Sequence, residues 1–271
     1  MKVIKIRFQD VSPIKLVVQG RNATFVAMKS KMQEPVLNDP MGCAALDYLS
    51  GKRNLEIKVQ SNIVEDDVIP VDYLFRNFAE MPSIEQKALA HCKGKILDVG
   101  GGVGSHALEL QKRGKDVTVL DSSTGCCQVS LQRGVRKVIN KDFYSYQPND
   151  KYDTILLMMN GIGLAAAIDH LPVFFAKLKE YLHPEGQIIL DSSDLRYLYI
   201  DEDSYCQPSD ETYYGEVMYT MTYKHHKTKP FEWLFIDPSL LAIKAKENGF
   251  LFEKIADGEH YDYVAKLTFV K

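Results

Sequence analysis

Ile96-Leu97-Asp98-Val99-Gly100-Gly101-Gly102-Val103-Gly104-Ser105 runs from an apolar strand into a glycine turn and out into a helix. Four glycines stand in five positions. Glycine permits a sharp turn and lets a ligand reach the main chain with no Cβ in between, at an entropic cost that packing alone does not require. A helix starting at Ser105 offers unpaired N–H groups and a partial positive charge to an anionic group. In open parallel sheets, ligands lie beyond the carboxyl ends of the strands, so a small ligand is expected over this loop.

Outward from the loop, strand and helix alternate. Ser105 to Arg113 reads as a helix stopped by Gly114, Asp116 to Leu120 as a strand ending at Asp121, and Ser123 to Arg133 as a helix stopped by Gly134. Lys137 to Asn140 and Thr154 to Met159 read as strands. The second is apolar throughout, as for a strand covered on both faces. Leu171, Phe174, Phe175, Leu178 and Leu182 recur at helical spacing, and Gln187 to Leu190 is a further strand after His183-Pro184-Glu185-Gly186. Such units predict a parallel sheet between two helical layers. Leu251 to Ile255 and Tyr263 to Val270 are too closely spaced for a helical crossover, so an antiparallel last strand is expected.

Two regions stand outside that rhythm. Residues 1–93 are expected to be a mixed α/β segment acting as a lid or substrate-binding part, with 94–271 the ligand-binding domain. In the first region, Ile4 to Phe8 reads as a strand, and Ile14 to Gln19 with Ala23 to Met28 as a hairpin. Asp39-Pro40 opens a short helix, Leu55 to Val59 is a strand, Val71 to Phe78 is a helix, and Ser83 begins another behind a capping-box pattern. The second region is a β-hairpin insertion at about 212–236: Glu216 to Tyr223 and Phe231 to Ile236 flank a polar turn.

Of the 271 residues, 45% are hydrophobic and 25% charged, which excludes a disordered or collagen-like chain. Against 36 acidic residues, 33 Lys+Arg leave a formal charge of −3; polyanion binders usually carry a basic excess, so nucleic acid is not the expected partner. No apolar run of about 18 residues predicts a membrane span. Met1 to Arg7 lacks a signal peptide's apolar stretch, and Cys43, Cys92, Cys126, Cys127 and Cys206 form no CxxC pair. The expectation is a cytoplasmic protein with reduced thiols, Cys126-Cys127 serving helix packing, and no bound metal.

Two cofactor classes fit the glycine loop. Gly102-x-Gly104-x-x-Ala107, with Asp121 downstream, satisfies a dinucleotide fingerprint. The other class carries an acid two residues before the first glycine, as Asp98 stands before Gly100. Asp98, Gly100, Gly102 and Gly104 resemble motif I of the class I S-adenosylmethionine-dependent methyltransferases, acid-x-Gly-x-Gly-x-Gly, at every position. Later stretches resemble further landmarks of that family in order: Val117 to Asp121; Lys141-Asp142-Phe143; Tyr152 to Asn160; Leu182-His183-Pro184-Glu185-Gly186 and its strand; and Pro238 to Gly249 followed by Phe250. The resemblance spans Lys95 to Lys271.

It implies a three-layer Rossmann-like fold and S-adenosyl-L-methionine as cofactor. By the same resemblance, Asp98 lies near the cofactor's ammonium, Asp121 with neighbouring Ser122 on the ribose hydroxyls, Asp142 on the adenine amine, and Phe143 against the adenine ring. Met159 and Asn160, ending the fourth strand, lie near the transferred methyl. Methyl transfer from a sulfonium is an in-line displacement, so alignment and water exclusion are the main tasks and no triad is expected. A base is needed only if the acceptor atom must lose a proton.

The Asn/Asp-Pro-Pro-Tyr/Phe motif of DNA-adenine and protein-glutamine methyltransferases is absent, as is a Pro-Cys nucleophile. A small-molecule acceptor is therefore expected, and the resemblance implies that it is held by Val71 to Met81 and by the region Asp191 to Ile236. That region carries Asp191, Asp194, Arg196, Tyr197, Tyr213, Tyr214, Glu216 and Trp233. Tyr214, Glu216 and His106 are the candidates for catalytic contact. Gly161 and Gly163 either make room for a ligand or form a plain turn. The alternatives are an RNA or protein methyltransferase using Arg133, Arg136, Lys137 and Lys141 as a basic edge, a nicotinamide-dependent oxidoreductase, and a non-catalytic cofactor sensor. The sequence leaves the acceptor and the oligomeric state open, a homodimer included.

Overall fold

The computed structural model describes residues 38–201, 204–205 and 212–270. The strand and hairpin expected before residue 38, and Cys206, lie outside the described residues. In chain order the elements are α1 (Pro40–Leu49), β1 (Glu56–Ser61), β2 (Asp67–Pro70), α2 (Ser83–His91), β3 (Lys95–Val99), α3 (Ser105–Lys112), β4 (Asp116–Asp121), α4 (Thr124–Gln132), β5 (Val138–Asn140), β6 (Tyr152–Leu157), α5 (Leu171–Tyr181) and β7 (Leu182–Ser193). There follow β8 (Ile200–Asp201), β9 (Ser204–Tyr205), β10 (Glu216–Tyr223), β11 (His226–Lys227), β12 (Phe231–Leu234), α6 (Pro238–Glu247), β13 (Phe250–Asp257) and β14 (Asp262–Phe269).

Seven strands form the main sheet in the order β13-β14-β7-β6-β3-β4-β5. The five from β7 to β5 are mutually parallel, and β14 runs antiparallel between β7 and β13. The expected Rossmann-like sheet with a reversed last strand is therefore what forms. Alternate residues feed opposite layers, as the period-2 geometry of a strand requires. Leu97, Ile155 and Ile188 meet Phe174, Phe175 and Leu178 of α5 and Leu241 of α6. Ile96, Leu156 and Ile189 meet Ile84 and Leu89 of α2 and Leu110 of α3.

A second, wholly antiparallel sheet has the order β11-β10-β1-β2, with β12 also paired to β10. The inserted hairpin does not stand alone: Lys58 of β1 sits opposite Thr222 of β10. Ile57 and Tyr223 of this sheet, Ala44 and Ala45 of α1, and Cys126 and Val129 of α4 make a third apolar cluster.

Two local expectations fail. Val71 to Phe78 is not a helix but two 3-10 turns, Val71–Phe75 and Phe78–Glu80, because Arg76 is extended (ψ 144°). The capping box expected at Ser83 stands instead at Asn77–Glu80, while Pro82 precedes α2 without a side-chain cap. Helix α5 ends at Tyr181, ahead of His183 to Gly186, and those four residues belong to a β7 longer than the Gln187 to Leu190 strand, where the register against β6 shifts between Tyr152 and Thr154. Cys43, Cys92, Cys126 and Cys127 are free, buried thiols. Burial pushes Cys92 and Cys127 up to about 12, so neither is a thiolate at neutral pH.

Candidate functional site

At the carboxyl end of β3 the chain turns through Gly100 (φ 67°), Gly102 (φ 53°) and Gly104 (φ 83°), all left-handed. The glycines divide the work. A Cβ on Gly104 would meet Val135 at 2.6 Å, and one on Gly101 would meet Asp98 Oδ2 at 2.8 Å, so these two let the loop lie tight on its own fold. At Gly100 a Cβ would meet nothing within 4 Å, and at Gly102 only a carbonyl at 4.0 Å. Those two present bare backbone to open space.

Asp98 lies beneath the loop, 1% exposed, and its Oδ2 has no hydrogen-bond partner. Burial pushes its pKa up to about 6. A buried, unpartnered carboxylate oxygen is costly, and a cation brought to this loop would relieve it. Asp121, ending β4, accepts from Gly102 N–H at Oδ2 (2.8 Å) and from Ser123 N–H at Oδ1 (2.7 Å). Each carboxylate oxygen has a second lone pair, so the same group, already aimed by two amides, can also take a pair of hydroxyls. The carbonyl of the exposed Ser122 accepts from Asn140 Nδ2 (3.0 Å).

Past β5, Asp142 Oδ1 caps a turn by accepting from Tyr144 N–H (2.9 Å) and Ser145 N–H (3.1 Å). The Phe143 ring expected against an adenine is instead packed into the core, 4% exposed, with Phe174 and Tyr181 each 5.5 Å away. The ring next to it on the surface is that of Tyr144, which bonds to the Leu164 carbonyl (2.8 Å).

Just past β6 stand two consecutive non-glycine residues in the left-handed region, Met159 (φ 62°) and Asn160 (φ 59°). Such strain persists only where surroundings over-determine it. Here Asp191 Oδ1 accepts from the amides of Asn160 (2.8 Å) and Gly161 (3.3 Å), and the Asn160 side chain joins the Leu234 carbonyl (3.0 Å) and Ser192 Oγ (3.1 Å). Met159 stays 41% exposed. Gly161 and Gly163 hold no spare room: a Cβ on Gly163 would collide with the Trp233 ring, and one on Gly161 with Leu157 Cβ.

The three candidates for catalytic contact have separate partners. His106 Nε2 pairs with Glu85 Oε2 (2.8 Å), whose two oxygens also take Arg76 Nη2 at 2.5 and 2.7 Å. Burial works to raise the Glu85 pKa, but His106 and then Arg76 hold it below the ordinary range. Tyr214 donates its hydroxyl to Asp194 Oδ1 (2.8 Å), and Glu216 Oε1 accepts from Ile168 N–H (2.8 Å). Asp191, buried like Asp98, has no such ion pair: burial, then the charge of Glu85, pushes it up to about 7.

The 3-10 turn at Val71–Phe75 is bolted to the glycine loop. Ser105 Oγ donates to the Leu74 carbonyl (2.7 Å), and Arg133 bridges the Val103 carbonyl (2.8 Å) to that of Phe75 (3.3 Å). Arg133 is thereby an internal brace, and Lys137 is paired with Asp116 (2.6 Å). Half of the expected basic edge is thus already engaged.

The family model described as a methyltransferase domain matches residues 71–242. A crystal structure of a SAM-dependent methyltransferase from Bacteroides fragilis, in complex with S-adenosyl-L-homocysteine, is similar at 42% identity and TM-score 0.81. The alignment covers 88% of this chain and 97% of that one. The chain belongs to the S-adenosylmethionine-dependent methyltransferases. Two distant structures share the fold alone: the CcbJ methyltransferase from Streptomyces caelestis (13% identity, TM-score 0.54, covering 72% of this chain and 93% of that one) and the DhpI-SAM-HEP complex (16%, 0.53, 72% and 89%). No curated protein matches the chain.

For a methyltransferase, the loop fits its cofactor by two observations made above: bare backbone at Gly100 and Gly102, and the orphaned oxygen of Asp98. Sequence reasoning passed over the Arg76–Glu85 pair, since a lone Arg and a lone Glu nine residues apart carry no pattern. It read Asp39 only as a helix cap.

Proposed function

We propose that this methyltransferase acts on a small-molecule acceptor, with S-adenosyl-L-methionine over the glycine loop. Asp121 would hold the ribose hydroxyls, Asp98 would lie toward the ammonium, and Asp142 with Tyr144 would border the adenine. Met159 and Asn160 would line the methyl end. The cofactor, when bound, supplies a methyl group made electrophilic by its positively charged sulfur.

The observation that carries the acceptor reading is the cover over the strand ends. Leu74 and Phe75 are tied to the glycine loop on one side. On the other, Leu234 is tied to Asn160, Ile236 to Ser192 (2.9 Å), and Trp233 packs on Gly163. Segments tied to the ends of β3, β6 and β7 would help to exclude water from a bound acceptor, and that suits a compact acceptor better than a polymer. Asp191, oriented by two amides at the end of β7, is the group that would take a proton from an acceptor atom.

Calorimetry with S-adenosylhomocysteine tests the cofactor side. Asp121→Ala should weaken binding by about 1.5–3 kcal/mol for each hydrogen bond to the charged acceptor that is lost; unchanged affinity removes the ribose assignment. A methylation panel of small amines, alcohols and acids set against RNA and protein acceptors tests the other side. Turnover confined to the polymers overturns the small-molecule reading.

A further inference from the structure

Asp39 lies 84 residues before Ser123 in sequence yet shares the amino end of α4 with Asp121. It is 9% exposed and accepts four hydrogen-bond contacts from three donors. Its Oδ1 takes Gly42 N–H of its own helix α1 (2.8 Å), its Oδ2 takes Gly125 N–H of α4 (3.1 Å), and Ser123 Oγ reaches both oxygens (2.9 and 2.8 Å). Ser123 in turn accepts from Cys126 N–H (3.0 Å) and donates its own amide to Asp121 Oδ1.

The geometry explains why an acid is required. Gly42 and Gly125 let the two helix ends touch backbone to backbone: a Cβ on Gly125 would lie 2.6 Å from Gly42 Cα. Two helix amino termini carry partial positive charge and unpaired N–H groups, so meeting there is unfavourable without an anion between them. Only a carboxylate offers two acceptor oxygens, with about four lone pairs and a full negative charge, at one side chain.

The far end of α1 is fastened separately. Asp47 accepts from Lys52 (2.6 Å), from Tyr223 Oη of β10 (2.7 Å), and from Lys224. Burial works against that carboxylate, but Lys224, Lys52 and Tyr223 hold its pKa well below the ordinary range. Helix α1 is thus a strap from the small sheet to the loop that carries the ribose acid.

We infer that Asp39 is a positioning residue for cofactor binding: through Ser123 it sets the loop in which Asp121 meets the ribose, and so makes that grip depend on a docked α1. The inference rests on the ribose assignment of Asp121 proposed above.

The test is calorimetric affinity for S-adenosylhomocysteine, with thermal midpoint and amide hydrogen exchange, on the full chain. Asp39→Ala is expected to weaken binding tenfold or more and to speed exchange at Ser123 and Gly102, the two amides that hold Asp121. Asp39→Asn, which keeps one acceptor oxygen, should recover part of that loss. Asp47→Ala, which unfastens only the far end, should lower the thermal midpoint yet leave affinity within twofold. Should Asp39→Ala not fold, Ser123→Ala removes the linking hydroxyl while keeping the amide, and should still cost severalfold in affinity. If Asp121→Ala weakens binding but the Asp39 and Ser123 variants match the unaltered protein, α1 is only structural and the inference is overturned. If Asp121→Ala also binds normally, the ribose assignment has failed instead.

Discussion

Asp98 illustrates how one residue links burial to binding. Its carboxyl titrates near pH 6 because the fold has taken it out of water. Only the ionised form attracts an ammonium. Affinity for S-adenosylhomocysteine should therefore rise as pH goes from 5 to 7 and level off above, by at most about tenfold per pH unit below the pKa. Burial also raises the Asp121 pKa, which acts in the same direction. Asp98→Asn should bind more weakly and flatten the profile; an unchanged pH dependence in that variant would place the titration elsewhere. At this scale the motif was readable because Asp98, Gly100, Gly102 and Gly104 are consecutive in the chain. Asp142 and Phe143 show the limit. Adjacency in sequence did not reveal that one caps a turn and the other faces the core, leaving Tyr144 at the surface.

Among the elements, the parallel strands were readable from their apolar runs and glycine stops, and the antiparallel finish from the short connection between the last two strands. The turns at Val71–Phe75 and Phe78–Glu80 were not, because a helical spacing of Val71, Leu74 and Phe78 does not reveal that Arg76 will be drawn into an extended conformation where it meets Glu85. The connection after β6 and strand β12 form another unit invisible from sequence. Gly163 is small because the Trp233 ring lies on it. Gly163→Val should displace that ring, and since Trp233 is the single tryptophan of the chain, its fluorescence should shift to the red with a stability loss of about 1–3 kcal/mol for overpacking. An unmoved emission maximum would show the ring seated independently of Gly163.

Across the whole molecule, the buried acids set the pH dependence of stability. Asp98 near 6 and Asp191 near 7 both lie above the ordinary value of 3.8, so the folded chain holds these protons more tightly than the unfolded one. Their contribution is full below about pH 4 and is lost as pH rises through 6 and 7. Glu85 and Asp47, held below the ordinary range, act oppositely, but only in more acid solution. The ligand-free protein should therefore lose stability between pH 5 and 7.5, with Asp98 alone contributing about 1.4 kcal/mol, the one pH unit that separates pH 5 from its value of about 6. Calorimetric melting across that range checks it; a midpoint that climbs steadily with pH would contradict it. S-adenosylhomocysteine should restore the midpoint at neutral pH by binding the folded state.

The sequence alone determined the parallel sheet, its reversed last strand and the glycine loop, because each is written in neighbouring residues: apolar period, turn glycines and short connections act over a few positions. Tertiary structure alone decided that β1 pairs with β10, that Asp39 shares the end of α4 with Asp121, and that Arg76 and His106 meet on Glu85. Those partners lie from nine to more than a hundred residues apart. They are brought together by burial of apolar faces, which has no direction of its own and leaves no local mark on the polar residues that it carries along.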